Sequence, residues 1–212
     1  MGVLGAFLRT GFDVMVRRRL RGVWLRGELP GGGFVWAANH HGWWDAFVAV
    51  VMLWRRGRRV CVLVDPESLA QHGYLRHAGA LGTHELRAAL ARLRAGEVVV
   101  IFPEGELRAA GPVGPLAGGA AWLARRAPAP LVAVATRVTL RGHQAPEAYL
   151  SLRPCRPDAL EAALREEVAE LDAELQASDP RAPLPGFARV LAGRRSAEER
   201  LPRRGTARET SR

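Results

Sequence analysis

The sequence predicts an α/β domain: a mostly parallel β-sheet with helices on both faces, preceded by an amphipathic N-terminal helix. Three observations predict it. Short apolar runs such as Phe34 to Ala38, Val60 to Val64 and Val98 to Phe102 alternate with stretches of helical periodicity, as strand–helix–strand units require. Those runs lack polar interruptions, as buried strands do. At 212 residues, 48% hydrophobic and 25% charged, the chain is long enough for one domain with its own core and short extensions. The expected division is a helix over 1–22, the α/β domain over 23–178, and an Arg- and Pro-rich extension over 179–212, partly disordered and wholly so from Arg194.

In order, Leu4, Leu8, Phe12, Val16 and Leu20, flanked by Val3, Phe7 and Met15, define one apolar helical face, with Arg9, Arg17, Arg18, Arg19 and Arg21 supplying charge. Two readings stand: a helix lying in a membrane interface, or one packed on the domain's own core with a solvated basic end. A strand near Val23 to Arg26 leads to the Gly31-Gly32-Gly33 turn and the strand into His40. A helix follows from about Trp44 to Trp54, then the basic loop Arg55 to Arg59 and the strand Val60 to Val64. The loop is either a solvated connector or, if next to a site, a phosphate holder. Asp65-Pro66-Glu67 starts a helix, with Asp65 as N-cap and Pro66 at the first position. Leu86, Leu90 and Leu93 mark a helix that Gly96 stops. After the strand at Val98, a Gly- and Pro-rich loop spans Ala109 to Gly119, Ala120 to Arg126 is helical, and Leu131 to Leu140 is a strand. Leu160, Leu164, Val168, Leu171 and Leu175 line one face of a helix over Asp158 to Gln176.

Chemistry concentrates where the second strand ends, in Asn39-His40-His41-Gly42-Trp43-Trp44-Asp45. Residues i and i+5 of one helix lie about 140° apart around the axis, so His40 and Asp45 meet only if His40 precedes the helix. Asp45 in the first helical turn then accepts from one imidazole nitrogen while the other faces a substrate proton, and it suits the positive end of the helix dipole. The plainer reading is a structural hydrogen bond. A second buried strand ends in Phe102-Pro103-Glu104-Gly105, and both His40 and Glu104 fall at carboxyl ends of strands, where sites in such sheets collect.

The two blocks in this order, N-H-x4-D and then F-P-E-G, resemble the glycerolipid acyltransferase superfamily, the 1-acylglycerol-3-phosphate (lysophospholipid) acyltransferases and their relatives. The resemblance runs from about Val23 to Thr139 and takes in Gly118-Gly119-Ala120 and the strand after Pro130. It implies a glycerol-3-phosphate acyltransferase-like fold and transfer of a fatty acyl group from acyl-CoA or acyl-carrier protein to the hydroxyl of a lysophospholipid-type acceptor. His40 would be general base, Asp45 its orienter, and Glu104 and Gly105 acceptor-binding. No cofactor beyond the thioester co-substrate and no metal is implied.

The sequence also departs from the family pattern. Where the family continues E-G with Thr-Arg-Ser, this chain has Glu106-Leu107-Arg108. The arginine is displaced by one position, so Arg108 and Glu106 become the candidate headgroup residues, and a non-phosphate acceptor such as a glycolipid or other polar lipid becomes the alternative. Trp43 and Trp44 are candidates for an acyl channel, or else core or membrane-interface residues.

All 31 basic residues are arginine, which excludes a P-loop lysine and Schiff-base chemistry. Asn39 is the single asparagine, beside the proposed base. Cys61 and Cys155 are too few for a disulfide framework or zinc site and read as reduced thiols. No apolar run approaches the roughly 20 residues of a spanning helix, and no secretory signal is evident. A net charge of +10 favours an anionic membrane surface, so the expectation is a cytoplasmic protein, peripheral on the membrane's cytoplasmic face. Two rivals remain. His40, His41 and Asp45 could ligate a metal in a hydrolase or transferase, though no third ligand cluster accompanies them. A basic protein could bind anionic membrane or nucleic acid without catalysis, but no nucleic-acid motif is present, and nucleic acid is not an expected partner.

Overall fold

The computed structural model describes residues 2–200. The described residues form one eight-stranded sheet in the order β4-β3-β5-β2-β6-β7-β1-β8. It comprises β1 (Gly22–Arg26), β2 (Val35–Ala38), β3 (Val60–Val64), β4 (Ala80–Gly82), β5 (Val98–Ile101), β6 (Leu131–Thr139), β7 (Glu147–Cys155) and β8 (Ala188–Ala192). The five strands from β4 to β6 are mutually parallel. β7 returns antiparallel to β6, β1 lies parallel to β7, and β8 closes that edge antiparallel to β1.

Each face of the sheet carries its own core. On one, Val35, Ala37, Cys61, Val99 and Ala133 pack against α4 (Leu86–Arg94), α5 (Gly119–Arg126) and α6 (Leu160–Ala177). On the other, Phe34, Trp36, Val62, Val100 and Val134 pack under α2 (Trp44–Arg55) and the inner side of α1 (Val3–Arg19). Strands buried on both faces account for the unbroken apolar runs. α3 (Pro66–Gln71) starts as its sequence signals say: the Asp65 side chain accepts from Ser68 N at 3.0 Å, with Pro66 opening the helix.

Helix α1 packs one side on the domain's own core and leaves apolar residues outward on the other. At 100° per residue, Phe12 and Val16 turn inward onto α2 and the core, where the Phe12 ring meets Phe47 edge-on at 5.0 Å. Val3, Leu4 and Phe7, assigned to the same apolar face, turn outward and are 90%, 44% and 72% exposed.

The expected extension over 179–212 needs correcting. Residues 188–192 are a sheet strand, with Leu191 buried against β1. Gly193 follows where the backbone closes on α1's end: a Cβ there would lie 2.1 Å from Leu20 O. Arg194 N donates to Leu20 O at 2.7 Å, and α7 (Ala197–Arg200) brings Glu199 to Arg21 at 2.9 Å. The expectation of disorder over 201–212 lies outside the described residues.

Candidate active site

Strand register assembles the site. β2 and β5 are parallel neighbours with Ala37 opposite Ile101, so the third residue beyond each, His40 and Glu104, leaves the sheet at the same level. On β2's other side, Ala38 pairs with Val134 of β6. Asn39 then continues the ladder with its side chain, accepting from Thr136 N at 2.7 Å and donating to Thr136 O at 3.2 Å. This is the structural task of the chain's single asparagine: it satisfies a strand's backbone while its own backbone turns away.

The turn that follows is held by Asp45, in the first turn of α2 and 1% exposed. Its Oδ2 accepts from His41 N and Gly42 N, both at 2.8 Å, and faces His40 Nδ1 at 3.0 Å. His40 therefore precedes the helix, as the i, i+5 geometry requires. The His40 ring stacks on Phe102 with centroids 4.3 Å apart. Its carbonyl accepts from Arg108 N at 2.9 Å. The side chain is 24% exposed, and Nε2 has no hydrogen-bond partner among the described residues. An imidazole held at Nδ1 by a carboxylate, with Nε2 open, can take a proton from a substrate hydroxyl.

Glu104 holds the turn rather than lining a cavity. Oε1 accepts from His40 N at 2.9 Å, Oε2 from Gly114 N at 2.9 Å, and the side chain is 3% exposed. This is a different placement from the acceptor contact that the resemblance implied. Gly105, with φ at +74°, turns the chain into a left-handed conformation that glycine adopts without cost.

In front of His40 lies a cavity of about 680 Å³. Its walls are largely apolar, from Ala46, Val64, Leu86, Phe102 and Leu107, and its ionisable lining groups are His40, Asp65 and Glu106. A narrower, almost wholly apolar slot of about 80 Å³ shares Ala46, Val62 and Val64 with it and is otherwise lined by residues such as Phe12, Phe47 and Trp54.

Three sequence candidates fall elsewhere. Arg108 turns away from the cavity: it pairs with Glu106, lies 3.7 Å from Glu104 and crosses Gly114, where a Cβ would come 2.7 Å from its Nε. Leu107 occupies the wall instead. Trp43 and Trp44 do not line the cavity. Trp43 is 59% exposed and meets Trp44 and Phe47 at 5.1 and 4.3 Å, because the turn before α2 points it outward. The Arg55 to Arg59 loop precedes β3 and so sits at that strand's amino end, and none of its residues lines the cavity.

His41, which the sequence offers only as a metal ligand in the rival reading, belongs to the site in another way. The side chain of His41 is 8% exposed, with Nδ1 3.5 Å from Asp45 Oδ1 and Nε2 accepting from Val138 N at 3.2 Å. Burial holds this imidazole below the ordinary histidine range, with Asp45 opposing and Arg137 and His40 reinforcing. The doubled histidine was the available signal. Among the described residues no group of three or more His, Cys, Asp or Glu side chains is arranged to hold a metal. Burial pushes the Cys61 thiol up to about 12, which makes it a poor nucleophile. No described helix is long and apolar enough to cross a membrane.

The sequence model of the family described as Acyltransferase matches residues 18–137. Among solved structures, the fold is similar to the crystal structure of the 1-acyl-sn-glycerophosphate (LPA) acyltransferase PlsC from Thermotoga maritima. The TM-score is 0.53 at 20% sequence identity, over 82% of this chain and 79% of that one. No curated protein matches the chain.

Proposed function

The chain belongs to the acyltransferase family, whose model spans more than half of it, and from that membership we propose that this enzyme moves a fatty acyl group from a thioester, acyl-CoA or acyl-carrier protein, to a lipid hydroxyl, without a further cofactor. The observation that carries the reading is the His40 imidazole, held at Nδ1 by Asp45 and open at Nε2 to a cavity at the carboxyl ends of the strands. His40 Nε2 takes the hydroxyl proton as the oxygen attacks the thioester carbonyl. The tetrahedral intermediate collapses, the C–S bond breaks, and the proton passes from Nε2 to the leaving thiolate. Asp45 keeps the proton of the other nitrogen on Nδ1 and stabilises the transient imidazolium. The apolar slot past Ala46 and Val64 suits the acyl chain.

The charge of the cavity bears on the acceptor. The chain carries 31 arginines, yet none among the described residues lines this cavity, and Arg108 is paired with Glu106. A phosphate monoester favours arginine forks and is repelled by carboxylates. We therefore expect lysophosphatidic acid to be a poorer acceptor than a neutral, zwitterionic or sugar-bearing lipid hydroxyl, with Glu106 accepting from the headgroup. The test is kcat/KM for both classes in wild type and Glu106→Thr. Lysophosphatidic acid winning outright in wild type, and weakened selectively by Arg108→Ala, would restore the phosphatidic-acid-forming reading.

Membrane contact belongs to the outer face of α1, where Val3, Leu4 and Phe7 are exposed on a cationic chain. This supports peripheral attachment at the cytoplasmic face. Leu4→Asp with Phe7→Asp is expected to abolish sedimentation with anionic vesicles while leaving the melting temperature and turnover of a soluble short-chain acceptor unchanged. Undiminished vesicle binding would move the contact elsewhere.

A further inference from the structure

We propose that His41 is a positioning residue of this active site, gripping the oxygen of Asp45 that His40 does not use. The inference rests on the His40–Asp45 base reading. Oδ2 of Asp45 already serves three donors: His40 Nδ1, His41 N and Gly42 N. Oδ1 is buried and faces His41 Nδ1 at 3.5 Å, and neither atom has another hydrogen-bond partner among the described residues.

The tautomer follows from the other side of the ring. Val138 N of β6 donates to His41 Nε2 at 3.2 Å, so Nε2 must carry the lone pair and Nδ1 the proton. That proton is therefore on the nitrogen facing Oδ1. The separation exceeds the usual 2.7–3.2 Å of an N–H···O bond, and a closure of a few tenths of an ångström would form it. Catalytic contacts commonly tighten in this way once substrate is bound.

The arrangement is a relay of anchors: β6 backbone to His41, His41 to Asp45, Asp45 to His40. It matters when His40 becomes an imidazolium. The new charge then pulls on Oδ2 alone, and a carboxylate fixed at both oxygens cannot swing after it. The charged and titratable groups around His41 are Asp45 of α2, His40 beside it, Arg137 of β6 and Asp172 of α6, with Arg137 and Asp172 paired to each other at 2.6 Å. Protonation of His41 would set an N–H at Nε2 against the N–H of Val138 and break the anchor.

The experiment uses three variants of the full chain. His41→Asn puts an amide N–H where Nδ1–H stands. His41→Gln keeps a polar atom in reach of Val138 N but none at the Nδ1 position, and His41→Phe keeps only bulk. Loss of an outer partner that orients a site residue costs about 10–100-fold. His41→Gln and His41→Phe should lose that much in kcat with KM within about twofold of wild type, and His41→Asn should recover kcat to within about threefold. The acid limb of log kcat/KM should fall more steeply than one proton's worth in wild type and with unit slope in His41→Asn. A folded His41→Phe with kcat within about twofold of wild type, or His41→Asn as impaired as His41→Gln, overturns the proposal. Should His41→Phe be fully active while His40→Ala is dead, only the positioning role falls; should both be active, the base reading falls with it.

Discussion

His40→Ala is expected to lower kcat for acyl transfer by at least the 10²–10⁴-fold, roughly, that general-base catalysis contributes, with the fold intact. The ring belongs to neither core and is 24% exposed. Its backbone is held independently of the side chain, by Glu104 on the amide and Arg108 N on the carbonyl. Removing the imidazole therefore loses the hydrogen bond to Asp45 and a stacking contact with Phe102 but leaves the backbone bonds of the turn in place. The measurement is single-turnover acyl transfer beside thermal melting of the same preparation. More than about a tenth of wild-type activity in a folded variant is more than a lost general base permits and would remove His40 from the mechanism.

Much of this site could be read in the sequence because it is built from local signals. The i, i+5 spacing of His40 and Asp45 forced the histidine into the turn ahead of the helix, and the hydrogen bond is found there. Asp65 and Pro66 start α3 as their residue types dictate. What was not legible depends on tertiary register. Glu104 reaches His40 N because β2 and β5 pair with Ala37 opposite Ile101, and no spacing along the chain encodes that match. β7 went unread because its polar residues, Glu147 and Ser151, are buried through Arg21 and Glu167 and interrupt the apolar pattern. β8, an edge strand of five residues flanked by prolines, glycines and arginines, offers too short a run to stand out from an extension. Trp43 and Trp44 stand beside His40 in sequence, yet the turn before α2 leaves Trp43 exposed and packs Trp44 against the core, the alternative their residue type also allows.

Asp45→Asn separates the charge of the carboxylate from its shape, and its expected cost is as large. Oδ2 accepts from two backbone N–H groups and faces His40 Nδ1, so the asparagine oxygen must take that position, since its NH₂ would meet two donors head-on. The amide nitrogen then falls at Oδ1, facing the Nδ1 proton of His41 at 3.5 Å. Geometry around His40 is nearly kept, but the imidazolium formed during transfer loses its counter-charge and one buried pair becomes donor against donor. The expected result is a fall in kcat on the order of 10³–10⁴-fold, the scale of an orienting carboxylate lost from a general base, with acceptor KM little changed because Asp45 is buried behind the cavity wall. The unpaired donor should also cost about 1–3 kcal/mol of stability, read as a lower melting temperature. Combining it with His41→Gln, which removes the opposed donor while keeping an acceptor for Val138 N, should recover part of the melting temperature but not kcat. A loss confined to KM would instead make Asp45 a binding residue, and a kcat restored in the double variant would mean that the charge of Asp45 plays no part in the chemistry.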